Sequence, residues 1–396
     1  MIEKYFFPVL YFLLLFFIGL LASGKIKNLA DYFAGGKKLN FWVVAFSSRA
    51  TGSSAWVLLG LTGMGAVFGL HAFWVVLGTT SGVVISWFFM AGRFKKLSDR
   101  YNALTIPDFL EAHFNDGSGL LRLVSALVLS VFVTIYVSAQ IDATGTAFET
   151  FLGWNYLTGA ITGFVLVVLY MFAGGFVAVA WSDVFQGFVM LAGLLLLPLA
   201  GWFAFGTGNS VAQGLRQIDP ALLSIWGEGG FTLPNLMRTL SFLMIGLGYL
   251  GSPQLYVRFI SIKDEKELAK GKWLSAGLQL FMNTAAVSTG IFGRLLLTSP
   301  GQPLEAVLGT AGQDVLIKLA GELLPVAVSG LYVAAVLAAI MSTIDSLLIL
   351  ASSAVAYDFY QQRRGSNLSQ RQLVNISRVV TLLLALLALA VAVSIA

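Results

Sequence analysis

Cysteine is absent from this 396-residue chain, which excludes disulfides, thiol nucleophiles and zinc–thiolate centres. Charge is scarce as well: 11% of residues are Asp, Glu, Lys or Arg, against about a quarter in a soluble globular domain. Histidine occurs twice, as His71 at the head of an apolar stretch and His113 in a loop. Both read as interfacial residues rather than as metal ligands or a proton relay. What is abundant is apolar: 58% of residues are hydrophobic and the mean hydropathy is +0.85. These residues fall in long blocks, each able to cross ~30 Å of hydrocarbon as a helix and too continuous for a membrane β-barrel. The chain therefore reads as an all-α polytopic membrane protein whose solvent is the lipid bilayer. The net charge of +5 is small and calls for no nucleic acid, and no obligate protein partner is evident.

Ten spans follow from hydropathy windows: Phe6–Ser23, Asn40–Val67, His71–Gly92, Leu120–Phe148, Asn155–Phe172, Val179–Phe205, Leu236–Ile260, Trp273–Leu297, Leu323–Tyr357 and Ile376–Ile395. The first lacks the basic flank and cleavage site of a signal peptide and reads as a retained helix. Most of the 24 basic residues lie in alternate connections, among them Lys95, Arg258, Arg363, Arg364 and Arg378. The positive-inside rule then places those loops in the cytoplasm and both termini outside. The connection 101–118 carries Pro107 and an amphipathic Phe109-Leu110 to His113-Phe114 pattern that predicts a short interfacial helix. The connection 206–235 reads as an exposed segment with turns.

Ionisable groups at membrane depth are costly and mark functional paths. Arg49 lies in a Gly- and hydroxyl-rich interruption, Phe46-Ser-Ser-Arg-Ala-Thr-Gly-Ser-Ser-Ala-Trp56. Small residues there would also suit close helix packing, but packing gives no reason for a cation. A broken helix at this point frees carbonyls that suit a small hard cation. Ser342, Asp345 and Ser346 stand at i, i+3 and i+4, so their oxygens share one helical face. Asp183 lies near the start of a span and reads equally as a functional acid or as one favoured by a helix amino terminus. Asp142 reads as a structural charge partner for Arg49. A further interruption, Gly246-Leu-Gly248-Tyr249-Leu-Gly251-Ser-Pro253, combines glycine freedom with a proline. The interrupted spans are the second and the seventh, a spacing that points to an inverted repeat of five plus five helices.

Several ordered motifs match one family. They are Asp31-Tyr-Phe-Ala-Gly-Gly36, Asn102-Ala-Leu-Thr-Ile-Pro-Asp108, Gly174-Gly-Phe-Val-Ala-Val-Ala-Trp-Ser-Asp183, Gly246-Leu-Gly-Tyr249 with Pro253 and Arg258-Phe259, and Ala338-Ala-Ile-Met-Ser-Thr343. On these, the chain resembles the sodium/solute symporters, most closely the bacterial sodium/proline branch. The resemblance implies a LeuT-type fold in one transport domain, 1–396: an extra first helix at 6–23, a first repeat at 40–205 and a second at 236–396. Members of the family continue for several helices beyond residue 396, so the second repeat is expected to lack its last helix, as in a C-terminally truncated form.

The resemblance implies Na⁺ as coupling ion, held by Ala50, Ser53, Ala339, Ser342 and Thr343. It also implies a release path or second sodium position at Asp183, Asp345 and Ser346, and solute contacts at Trp56, Tyr136, Ile245, Tyr249 and Pro253. The proline branch has an Asp at Gly52, a Trp at Ile245 and a small residue at Arg49. Arg49 is thereby a candidate partner for a solute carboxylate. The expected function is sodium-coupled symport of a small organic solute, an amino acid such as proline or another carboxylate-bearing compound, across the bacterial inner membrane. A sugar or sialic acid symporter, a proton-coupled carrier and a transporter-like sensory module stay open as alternatives. An enzyme is not expected, because no nucleophile–base pair or metal cluster is apparent.

Overall fold

The computed structural model describes residues 2–206, 208, 210–361 and 369–395. Arg363 and Arg364 lie outside the described residues. Helices account for nearly all of the described chain, and no strand occurs among the described residues. Two close approaches between chain segments stand in for sheet: Leu39 accepts from Lys263 N–H at 2.8 Å and donates to Ser261 O at 3.1 Å.

Helices cover each of the ten expected stretches with shifted bounds, and seven of the described helices, or eight counting one bent pair as a span, are long and apolar enough to cross a membrane. Helix α1 is Phe6–Ser23. A 60-residue helical run, Phe41–Arg100, would be about 90 Å long if straight. It folds instead into two legs at Gly69, whose φ of 55° ends the first leg. The first leg comprises α2, Phe41–Ala55, a π-helical segment, Trp56–Leu61, and α3, Thr62–Phe68. The second begins with α4, Phe73–Val84, and runs on to Arg100. Then come α5, Leu120–Leu152, α6, Tyr156–Phe172, and α7, Gly174–Phe205. Next are α8, Leu233–Gly251, and α9, Pro253–Ser261, which meet at a 46° bend and form one broken span. The last three are α10, Glu265–Leu297, α11, Val328–Tyr360, and α12, Gln370–Ile395. The span interior of α11 is wholly buried, packed by α1, α2, α5, α7 and α12.

The breaks have local causes. Asn40 caps α2 by accepting from Val43 N–H. Fourteen residues after Asn40, Ser54 takes φ 49° and ψ −177°, breaking the helix within the hydroxyl-rich stretch. At the other broken span, Pro253 starts α9 and cannot donate to the preceding turn. Helices α6 and α7 part at Gly175, which has φ 50°, and a Cβ there would lie 2.5 Å from Tyr32 Cδ2. Gly175→Ala should therefore cost more than the roughly 1 kcal/mol usual for a strained glycine position, read as a lower thermal midpoint of the purified protein.

The interfacial helix is present as Ile106–Phe114, capped by Thr105. The connection 206–235 holds the short helix Val211–Ile218 and turns. Two assignments need correction. His71 is buried rather than interfacial, and its Nε2 bonds Thr239 Oγ1 at 3.1 Å. Lys95 and Arg258 are not loop cations. Lys95 is buried with Nζ on Asp99 and on Ile260 O, and Arg258 is 1% exposed inside α9.

Candidate functional site

Where α2 ends, its last carbonyls face α11. Ser342 Oγ lies 3.1 Å from Ala50 O and Thr343 Oγ1 lies 3.1 Å from Thr51 O. Both hydroxyls also reach Ala339 O, at 3.1 and 3.0 Å. All of these residues are buried. The donor set is carbonyl and hydroxyl oxygen without formal charge, the chemistry of a hard monovalent cation. Ser53 is turned differently from expectation: its hydroxyl donates to Arg49 O at 2.7 Å and its carbonyl accepts from Trp56 N–H. Thr51 O takes a place in the cluster that the sequence reading did not give it.

Beneath this cluster sits a buried ion pair. Asp183 Oδ2 accepts from Arg258 Nη2 at 2.8 Å, from Ser47 at 2.6 Å and from Thr51 at 3.4 Å. Arg258 also donates to Ser47 at 2.8 Å, Ser346 at 2.6 Å, Gln254 O at 2.9 Å and Thr51 Oγ1. Asp183 thus lies more than two turns past the break at Gly175 and is held by a guanidinium, which replaces the helix-terminus reading. Asp345 accepts from Tyr170 at 2.6 Å. One oxygen of each acid, Asp183 Oδ1 and Asp345 Oδ1, is buried without a partner.

Arg49 does not pair with Asp142. Its Nη1 bonds Gln279 Oε1 and, at 3.4 Å, the Tyr249 hydroxyl, and its Nη2 bonds Asn283 Oδ1 at 2.7 Å. Asp142 is exposed and accepts from Tyr156 at 2.8 Å. The reason is helical direction, since residues two apart do not share a face: Gln140 points inward, to Ala55 N–H at 3.5 Å, and Asp142 points away. Gln279 and Asn283 were missed by sequence reasoning. Their i, i+4 spacing within apolar α10 was the available signal.

The expected solute contacts gather around the two breaks. Tyr249 donates to Gly52 O at 3.3 Å, joining the α8–α9 break to α2. Tyr136 lies near Ser54 at the α2 break. Trp56, Tyr136 and Ile245 are each more than a third exposed, and Pro253 begins α9. A crevice of about 10 Å³ opens between Arg49, Trp87, Tyr249 and Gln279, the size of one water.

A family model for the sodium:solute symporters matches residues 32–396, 365 of the 396 positions. The chain belongs to the sodium:solute symporter family. Its symporter relatives include the high-affinity proline transporter of Bacillus subtilis, 35% identical over 95% of this chain and 77% of the relative. The sodium/proline symporter of Escherichia coli is 33% identical over 95% of this chain and 74% of its own length. Among solved structures, a substrate-bound, outward-open Na⁺-coupled sialic acid symporter superposes with a TM-score of 0.82 at 20% identity, covering 99% of this chain and 82% of that one. A nucleobase–cation symporter in a closed conformation follows at TM-score 0.57 and 14% identity, over 91% and 73%. The fold is therefore the LeuT-type transporter fold. This symporter is a multi-pass membrane protein whose coupling ion is Na⁺, and it is not an enzyme.

Proposed function

We propose that this chain binds sodium between α2 and α11, through Ala50, Thr51, Ala339, Ser342 and Thr343, and uses it to drive a small organic solute bound at the two helix breaks. The observation that carries this reading is the convergence of broken-helix carbonyls and two buried hydroxyls on one point. Ser53 fits as a support that holds the last turn of α2 through Arg49 O. Solute would meet Trp56, Tyr136, Ile245, Tyr249 and Pro253, with Arg49 on the inner wall. The names of the relatives make proline and other amino acids candidates, alongside further carboxylate-bearing solutes. The setting is a bacterial inner membrane with basic loops in the cytoplasm and the amino terminus outside.

The driving force suffices for such a role. One charge at 100 mV is worth about 2.3 kcal/mol, and a tenfold sodium gradient adds about 1.4 kcal/mol. Together these support a gradient of several hundredfold per sodium for a solute without net charge, and the sodium gradient alone supports about tenfold for a monovalent anion carried one to one.

Ser342→Ala and Thr343→Ala each remove one hydroxyl ligand and should raise the sodium concentration for half-maximal uptake about tenfold, the effect of one lost hydrogen-bonding group of about 1.4 kcal/mol. The order of preference among solutes should stay the same. Uptake in proteoliposomes across a sodium series measures both. An unchanged sodium requirement in both variants rules out this placement of the ion.

A further inference from the structure

Arg49 is 4% exposed, and no acid lies within salt-bridge distance of it among the described residues. Its guanidinium rests on neutral partners only: two amide oxygens and one phenol. Its Nε is buried with no partner at all. A buried cation in such surroundings calls for an anion. The amide pair is itself fixed, because Asn283 also donates to Thr79 at 2.9 Å. The guanidinium is therefore aimed before any ligand arrives.

Several carbonyls nearby already carry one donor: Gly52 O takes Tyr249, Gly248 O takes Ser252 at 2.7 Å, Tyr249 O takes Ser86 at 3.4 Å and Leu250 O takes Tyr256 at 2.7 Å. The free acceptors lining the Arg49 crevice are the neutral hydroxyls of Ser48 and Ser275. The acids of the interior are elsewhere: Asp183 serves Arg258, Asp345 serves Tyr170, and Asp142 points outward. Among the described residues, the region around Tyr249 thus holds a buried guanidinium and no acid that would receive an ammonium group.

We infer that the solute is a small organic monocarboxylate anion without an ammonium group, its carboxylate held by Arg49. This rests on the proposed symport at the two breaks and names the solute class of that same site. Tyr249, with Ser48 and Leu255, lines both the Arg49 crevice and a second one bounded by Gly52 and Arg258.

The test is uptake by the purified chain in proteoliposomes under an inward sodium gradient, using small acids without and with a charged nitrogen: radiolabelled lactate and propionate against alanine and proline. Sodium-driven uptake of lactate or propionate should exceed that of the amino acids about 10- to 100-fold, the discrimination expected when an ammonium is placed near a buried guanidinium with no acid to pair it. Arg49→Gln should raise the KM for the acid on the order of 10- to 100-fold, while sodium still protects the variant against heat. Arg49→Lys should recover only part of this, lacking the planar fork. Equal or better uptake of alanine or proline overturns the inference and leaves symport standing, as does an unaltered KM in Arg49→Gln. Sodium-independent behaviour of every solute, with no sodium protection, overturns the symport reading and the inference with it.

Discussion

Arg258→Gln should destabilise the protein by about 3–5 kcal/mol and reduce uptake to background, because it leaves Asp183 as an uncompensated buried charge. The two side chains are 1% and 0% exposed, and Asp183 has no other cation within salt-bridge distance among the described residues. Arg258→Lys should rescue little. One ammonium cannot reproduce a fork that serves Asp183, Ser47, Ser346, Thr51 and Gln254 O at once. Adding Asp183→Asn to Arg258→Gln should recover a large part of the stability, since it removes the charge the first change stranded. A double-mutant cycle on thermal unfolding of the purified protein measures the coupling. Additive losses in that cycle would show that the pair does not hold α7, α9 and α2 together.

Gly246→Ala should be nearly as damaging, for a steric reason. A Cβ at this position would stand 1.9 Å from Gly78 O, and a Cβ at Gly82 would stand 2.0 Å from Gly246 O. Both contacts are with backbone, so α4 and the end of α8 would have to move apart, at a cost of about 1–3 kcal/mol or more. Gly248, two residues along the same segment, has nothing within 4 Å of its Cβ position. Gly248→Ala should stay within about 0.5 kcal/mol of the parent. The two alanines differ only in which side of the chain they meet. Melting temperatures of both variants, measured side by side, decide the matter: a similar loss in each would mean that glycine flexibility, and not close approach, is what the break requires.

The spans and their breaks were legible because they depend on local chemistry. Apolar length sets a membrane helix, and the run Ser47-Ser48 to Ser53-Ser54 with Gly52 cannot hold one together. The pairing of side chains was not legible in the same way. Asp142 and Arg49 have opposite charge, but charge does not say which way a helix is turned, and Gln140 occupies the inward position. Arg258 was grouped with loop cations although it lies inside the stretch Leu236–Ile260 drawn as a span; apolar neighbours on both sides, Val257 and Phe259, were the warning. Gln279 and Asn283 carry no charge and so were passed over, yet an uncharged amide is what a buried guanidinium uses when no acid is at hand.

The close approach of Leu39 to Ser261 and Lys263 has a mechanical consequence. It fastens the beginning of α2 to the end of α9. Glu267 Oε2, accepting from Phe41 N–H at 2.9 Å, adds the start of α10, and Lys95, reaching Ile260 O at 3.2 Å, adds the end of the leg begun by α4. Four helices are thus fastened together at that end of the molecule, so a displacement of one would be passed to the other three. The oxygens proposed to hold sodium lie between one of these four, α2, and α11. On that proposal, an ion seated there would act as a bolt between the fastened group and α11, and its departure would remove the link.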